Sequence, residues 1–281
     1  MADVYQMVTD RIIKNLEEGK IPWKRPWKGT ELAPKNFVSR KPYKGFNLFM
    51  LAFETEEYFL TFNQAKKLGG HIKAGAKGLP VIYWNMSEVK DPDDPSKTKK
   101  IPFLKYYTVF ALADTEGIER PIKEGPVKEI NPIEECDKII DRNKPDIRYG
   151  GDRAFFRPSE DIIGMPHRVD FDSAEHFYAT LFHELIHWSG HKSRLDRITD
   201  EAAFGNEHYS KEELVAELGS AFLAAMTGTD NSAVRDNEAA YIASWLAALR
   251  DDKRLIISAS GKAQKAVEFL TKEEEEEEIA A

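Results

Sequence analysis

The hydrophobic positions of this chain change their rhythm about halfway along it. Val4, Tyr5, Val8, Ile12, Ile13 and Leu16 recur every three or four residues, which places them on one side of a helix over residues 2–18, with Gly19 as its stop. A second helix is expected from about Asn47. Thr61-Phe62-Asn63-Gln64 has the form of a capping box that opens a short helix closed by Gly69-Gly70, and a basic turn runs from His71 to Gly78. Leu79 to Val89 and Ile101 to Leu112 are rich in β-branched and aromatic residues and read as two strands joined by the polar loop Asp91 to Lys100. From Ala113 to Pro132 the apolar pattern lapses while prolines recur, the mark of a linker. Beyond it come a helix over Ile133 to Asn143 and two or three short strands with glycine turns within 146–166. Helical spacing then dominates, from Asp172 or Ser173 to Gly190, from Ser210 to Met226, from Asn237 to Arg250 and from Lys262 to Leu270. The expectation is an α+β protein of two domains, residues 1–125 and 132–271, followed by an acidic tail at 272–281.

At 281 residues each domain is large enough to bury a core. The chain shows no apolar run long enough to span a membrane and no basic, apolar leader at its start, so a cytoplasmic protein with no membrane partner is expected. A single cysteine, Cys136, agrees with a reducing compartment and reads as a buried helix residue. Net charge is −8, but residues 1–110 hold 19 Lys+Arg against 12 Asp+Glu, whereas the remainder holds 21 against 36. The basic half also holds 17 of the 31 aromatic residues. Cations for phosphates together with ring faces for unstacked bases are what single-stranded nucleic acid binders use. The strip Lys20 to Lys28 displays Trp23, Lys24, Arg25, Trp27 and Lys28 along a proline-braced backbone that cannot be helical. Arg40, Lys41, Tyr43 and Lys44 continue the same chemistry, and Lys73 and Lys77 add a basic turn suited to phosphate.

The acidic half contains Phe182-His183-Glu184-Leu185-Ile186-His187-Trp188, an H-E-x-x-H sequence inside a helical run. Residues four apart on a helix lie one above the other, so His183 and His187 present two imidazoles to one point. A catalytic metal site of this kind needs a third protein ligand, and Glu184 must remain free to act as base. Glu213 and Glu217, four apart on the next helix, share a face, so that one can bind the metal while the other orients a ligand histidine. Glu213 is favoured as ligand and Glu217 as its supporting partner. A capping box between Ser210 and Glu213 would instead pass the ligand role to Glu217, and His191 is a further contender. His208 or Tyr209, just before that helix, are candidates to stabilise an oxyanion. Two histidines and a glutamate suit Zn2+ and also accept Mn2+.

Val8 to Ile13, Pro22-Trp23, Pro26-Trp27, Tyr43 to Asn47, Thr61 to Ala65, Gly69 to Lys73 and Tyr106 to Phe110 together resemble the N-terminal domain of ArdC-type antirestriction proteins of conjugative plasmids. His183 to His191 and Glu212 to Gly219 resemble the zincin metallopeptidase domain that accompanies it. The resemblance covers nearly the whole chain. It implies a single-stranded DNA-binding domain over 1–125, a gluzincin-like metallopeptidase domain over 132–271 and a divalent metal. It also implies a role in protecting incoming plasmid or phage DNA from host restriction, with host restriction-modification proteins as a possible target. The rival expectation is a non-enzymatic protein that coats DNA and carries a structural metal.

Overall fold

The computed structural model describes residues 3–19, 21, 34–51, 54, 56–90, 98–121, 132–198, 207–229 and 238–272. The chain divides into two compact units, residues 1–11 with 31–127, and residues 12–30 with 128–281. The first helix, α1 (Val4–Glu17), buries Val8, Ile12 and Leu16 at the predicted four-residue spacing and ends at Gly19, whose φ of 70° is the left-handed conformation glycine adopts freely.

Residues 31–127 of the first unit hold α2 (Gly45–Leu51), α3 (Phe62–Lys67) and short and long strands: β1 (Lys35–Asn36), β2 (Tyr58–Thr61), β3 (His71–Ile72), β4 (Leu79–Lys90), β5 (Thr98–Ala111) and β6 (Thr115–Glu116). Sheet order is β1-β2-β5-β4, with β1 parallel to β2 and the other pairs antiparallel, while β3 and β6 pair separately. Strand β2 is covered on both faces. Phe59 joins Leu51, Leu79, Val81 and Val109 on one side, and Leu60 joins Phe37, Ala65 and Leu112 on the other. The capping box at Thr61 forms as the sequence predicts: Gln64 N donates to Thr61 Oγ1 at 3.2 Å and Thr61 N to Gln64 Oε1 at 2.8 Å.

One expectation changes here. The segment after Leu112 is not yet linker, because Thr115 and Glu116 pair with Ile72 and His71. The buried Glu56 carboxylate also accepts from Ala113 N at 3.2 Å and from Arg120 Nη2 at 2.6 Å. A two-residue strand has no alternation to read, and its partner lies more than forty residues away, so no local pattern announces it.

The second unit contains α4 (Pro132–Asn143), β7 (Asp146–Tyr149), β8 (Phe155–Arg157), β9 (Ile162–Met165), α5 (Ala174–Ser189), α6 (Glu207–Thr227), α7 (Glu238–Asp251) and α8 (Leu255–Thr271). Strand β9 lies between β7, to which it is parallel, and β8, to which it is antiparallel, and all four of its residues are buried. Cys136 is buried in α4. The α5 N-cap is Ser173, whose Oγ accepts from His176 N at 3.1 Å. Buried Tyr178 on α5 donates to Asp137 Oδ1 on α4 at 2.6 Å and so ties the two helices together. Helix α6 begins three residues earlier than predicted and α8 seven earlier, since Leu255, Ile256 and Ile257 are all buried. No helix of the described residues is long and apolar enough to cross a membrane.

Helices α5 and α6 approach closely at Gly219, where α6 has no side chain. A Cβ on Gly219 would stand 2.6, 2.8 and 3.1 Å from three carbons of Ile186, and Ser220 Oγ reaches across to Ala179 O at 3.1 Å. Because branches on both sides of Ile186 are involved, no rotamer change relieves the overlap. Gly219→Ala is therefore expected to cost about 1–3 kcal/mol of stability, read as a lowered midpoint in thermal denaturation.

Candidate metal centre

The two histidines stand as helical geometry requires. His183 Nε2 and His187 Nε2 are 3.2 Å apart, with ring centroids separated by 4.8 Å. Leu181, Phe182, Leu185, Ile186 and Trp188 are buried around them and hold α5 in place. Helix α6 supplies the third donor: Glu213 Oε2 is 3.4 Å from His183 Nε2 and Glu213 Oε1 is 3.3 Å from His187 Nε2. Donors bound at about 2.0–2.1 Å around a tetrahedral zinc stand about 3.3 Å apart, so the three fit one ion. His183, His187 and Glu213 are a group that could hold a metal ion, with one donor atom of each within 4.8 Å of the others. The N2O donor set accepts zinc or manganese.

Packing places the alternatives left open by the sequence differently. Since α6 starts at Glu207, Ser210 lies inside the helix rather than at its cap, and Glu213 is not held by a capping box with it. Glu217 lies behind the first histidine, its Oε1 3.9 Å from His183 Nδ1. His191 is used elsewhere: its Nδ1 lies 2.8 Å from Ser193 Oγ and accepts from Ser193 N at 3.3 Å. Glu184, next to His183 in the chain, is 8% exposed and forms no hydrogen bond among the described residues. His208 and Tyr209, expected in a loop, fall in the first turn of α6, and their side chains lie outside the described residues.

One member of the site escaped the sequence. Glu212 Oε1 lies 3.7 Å from His187 Nδ1, so each imidazole has a carboxylate behind its outward nitrogen. Glu212 is in turn held by Arg197, whose Nη2 donates to Oε1 at 2.9 Å. The same guanidinium donates to Ile186 O at 2.7 Å and to Ser189 Oγ at 3.1 Å. Gly190 makes room for it, since a Cβ there would stand 2.9 Å from Arg197 Nη2. The available signal was the pair Glu212-Glu213: neighbours on a helix diverge by about 100°, so two adjacent acids can each address a different histidine.

Burial alone would lower the pKa of both histidines, but carboxylate contacts outweigh it. Glu213 contacts and charge, with Glu184 adding to them, keep His183 above its ordinary value despite repulsion from His187. Glu212 and Glu213 raise His187 well above its own. Burial would raise Glu213, yet the two imidazoles hold it well below the usual carboxylate range. A cation loaded at these nitrogens therefore competes with the protons that the carboxylates help them hold.

The proposed DNA contacts that the structure describes, Arg40 to Lys77, lie in the first unit and divide by use. Arg40, at a φ of 59°, lays its guanidinium 4.5 Å from the Phe37 ring centroid and 5.2 Å from that of Tyr58. Lys41, Lys44 and Lys77 are exposed, and Lys73 Nζ donates to Ala113 O at 2.8 Å. Tyr43 packs on the Leu51 and Phe59 cluster, and its hydroxyl accepts from Asn36 Nδ2 at 3.4 Å. Trp23, Lys24, Arg25, Trp27 and Lys28 lie outside the described residues.

Comparison with known proteins matches both halves. Residues 2–110 match the N-terminal domain of anti-restriction factor ArdC, and residues 134–262 match the zincin-like metallopeptidase family. The crystal structure of antirestriction ArdC protein from the R388 plasmid, in its metal-free form, is 39% identical with a TM-score of 0.76, over 95% of this chain and 96% of that one. The Mn(II)-bound form is 38% identical with a TM-score of 0.77, over 95% and 97%. An uncharacterised protein of Sinorhizobium fredii is 36% identical over 95% of this chain and 91% of its own length. Two DNA primases named TraC from Escherichia coli are 34% and 33% identical over 95% of this chain, which spans 27% and 20% of their lengths.

Unfolded histidine and glutamate titrate near about 6.5 and about 4.3. With folded values raised, the histidine contribution to metal-free stability is complete below about pH 6.5 and fades as pH climbs through the folded values. With its folded value lowered, the Glu213 contribution is complete above about pH 4.3 and fades as pH falls through the folded value. Thermal denaturation in chelator should therefore show the midpoint falling as pH rises from about 6 to 9, with added Mn2+ or Zn2+ restoring it most at the alkaline end. Calorimetric titration should show stoichiometric binding lost in Glu213→Ala and weakened about 10–100-fold in Glu212→Gln.

Proposed function

The chain belongs to the ArdC family, and from that premise we propose that it is an antirestriction protein that binds single-stranded DNA through residues 1–125 and carries a metal-dependent peptidase site within residues 132–271, ahead of an acidic tail at 272–281. Protection of incoming plasmid or phage DNA from host restriction is the role that unites the two activities, with restriction-modification proteins as targets or substrates.

The observation that carries the peptidase reading is the division of labour among acids. Three donors converge on one point, two further carboxylates sit behind the imidazoles, and Glu184 is left without a hydrogen bond beside them. His183, His187 and Glu213 would hold the cation. When bound there, a divalent ion supplies a Lewis acid that polarises a peptide carbonyl and makes water easier to deprotonate. Glu184 takes a proton from the attacking water and returns it to the departing amide nitrogen, so that one water is consumed for each bond broken. Glu217 and Glu212 keep the imidazoles turned toward the cation. His208 and Tyr209 are the candidates to donate to the oxyanion. Edge strand β8 packs against α5 and pairs on one side alone among the described residues, so that an extended substrate can pair on the other through its backbone.

Single-stranded DNA binding rests on the cations and rings of residues 1–125. Arg40, Lys41, Lys44, Lys73 and Lys77 offer charge to phosphates, and Trp23 and Trp27 offer rings to bases.

Glu184→Gln separates catalysis from coating. It is expected to keep its metal while losing about 10²–10⁴-fold in peptide hydrolysis, measured on peptides cut by the unaltered protein. If protection of transferred DNA survives that substitution undiminished, a DNA-coating protein with a structural metal replaces the enzyme. Affinity of the full chain for a single-stranded oligonucleotide is expected to fall steeply with salt, and binding that ignores salt contradicts the assignment.

A further inference from the structure

The β4–β5 hairpin carries aromatic side chains that the fold does not consume. Residues paired across an antiparallel ladder point the same way. Leu79, Val81 and Tyr83 therefore share a face with their partners Val109, Tyr107 and Lys105. At one end this face is core, where Leu79, Val81 and Val109 pack with Leu51 and Phe59. Farther along it emerges: Tyr83 and Tyr107 are 54% and 51% exposed, and Lys105 between them is exposed too. Neither tyrosine stacks on another ring or under a cation among the described residues, unlike Phe37 and Tyr58, which lie against Arg40.

We propose that Tyr83 and Tyr107 form a base-stacking platform for single-stranded DNA, with Lys105 meeting the phosphate that joins the two stacked nucleotides. This rests on the single-stranded DNA reading above and adds the surface that performs it. Diagonal neighbours on one face of a sheet stand about 7–8 Å apart, so each ring takes a different base of one strand. A ring face accepts any base, and stacking needs no sequence readout. The rings are interrupted by a cation rather than merged into a continuous apolar patch, which suits a polyanion bearing flat bases better than an apolar protein surface. The excess of 19 Lys+Arg over 12 Asp+Glu in residues 1–110 supplies the matching charge. Tyr106, 40% exposed, is paired with Ile82 on the opposite face and lies outside the platform.

That last residue makes the test internal to one strand. The full chain is titrated against fluorescein-labelled oligothymidylate at several salt concentrations and binding is followed by anisotropy. Joint Tyr83→Ala and Tyr107→Ala should weaken binding about tenfold or more while leaving the slope of log affinity against log salt unchanged. Joint Tyr83→Phe and Tyr107→Phe should bind as the unaltered protein does, as should Tyr106→Ala. Lys105→Gln should make the salt slope shallower by about one unit. Unchanged affinity in the double alanine variant, an equal loss in Tyr106→Ala, or an unchanged slope in Lys105→Gln overturns the platform while the DNA-binding reading stands. Failure of the unaltered protein to bind the oligonucleotide removes both.

Discussion

Three donor atoms have to be held about one ion-width from a common point, and only two of them can be placed by a single helix. The i, i+4 repeat stacks His183 over His187 whatever else the protein does. The third, Glu213, arrives from α6 across a helix interface, so the site is only as well formed as that interface is tight. Gly219 against Ile186 and Ser220 against Ala179 set the approach, and Ile186 is the immediate neighbour of His187. Core packing and ligand geometry are thus one constraint at this point: whatever spreads α5 from α6 also draws Glu213 from the imidazoles.

The acids around this triangle are not interchangeable. Glu213 faces both imidazoles, Glu217 and Glu212 approach them from behind, and Glu184 stands apart. Glu212 has its charge offset by Arg197, which also accounts for two oxygens near the end of α5, Ile186 O and Ser189 Oγ. Glu217 has no such cation among the described residues, so the two histidines sit in unlike fields. The carboxylates facing both histidines make them hold their protons more tightly than usual. An ion and protons compete for the same nitrogens, which couples occupancy of the site to pH.

The first unit shows how little composition says about placement. Its aromatic residues read as one population in the sequence. In the structure Phe37, Phe46 and Phe59 are buried, Tyr43 packs on the core, and Tyr83, Tyr106 and Tyr107 are exposed. The difference arises along single strands. The face holding Leu79 and Val81 packs on Leu51 of α2 at one end and is exposed at Tyr83, so identical alternation yields core and then surface. Arg40 illustrates the converse, a cation expected to meet phosphate that already lies over Phe37 and Tyr58.

Local spacing was sufficient for whatever depends on neighbours in the chain. The α1 stripe of Val8, Ile12 and Leu16, the Thr61 capping box, the long β4–β5 hairpin and the pairing of His183 with His187 are all consequences of helical or strand repeat acting over a few residues. What depends on partners far away in the chain was decided by tertiary structure. The pairing of β3 with β6, the choice of Glu213 over Glu217 and His191, and the Arg197–Glu212 contact at His187 each join segments whose separation carries no periodic signal. A repeat can say which face a carboxylate occupies. Only the packing of that face against another helix says which imidazole nitrogen it meets.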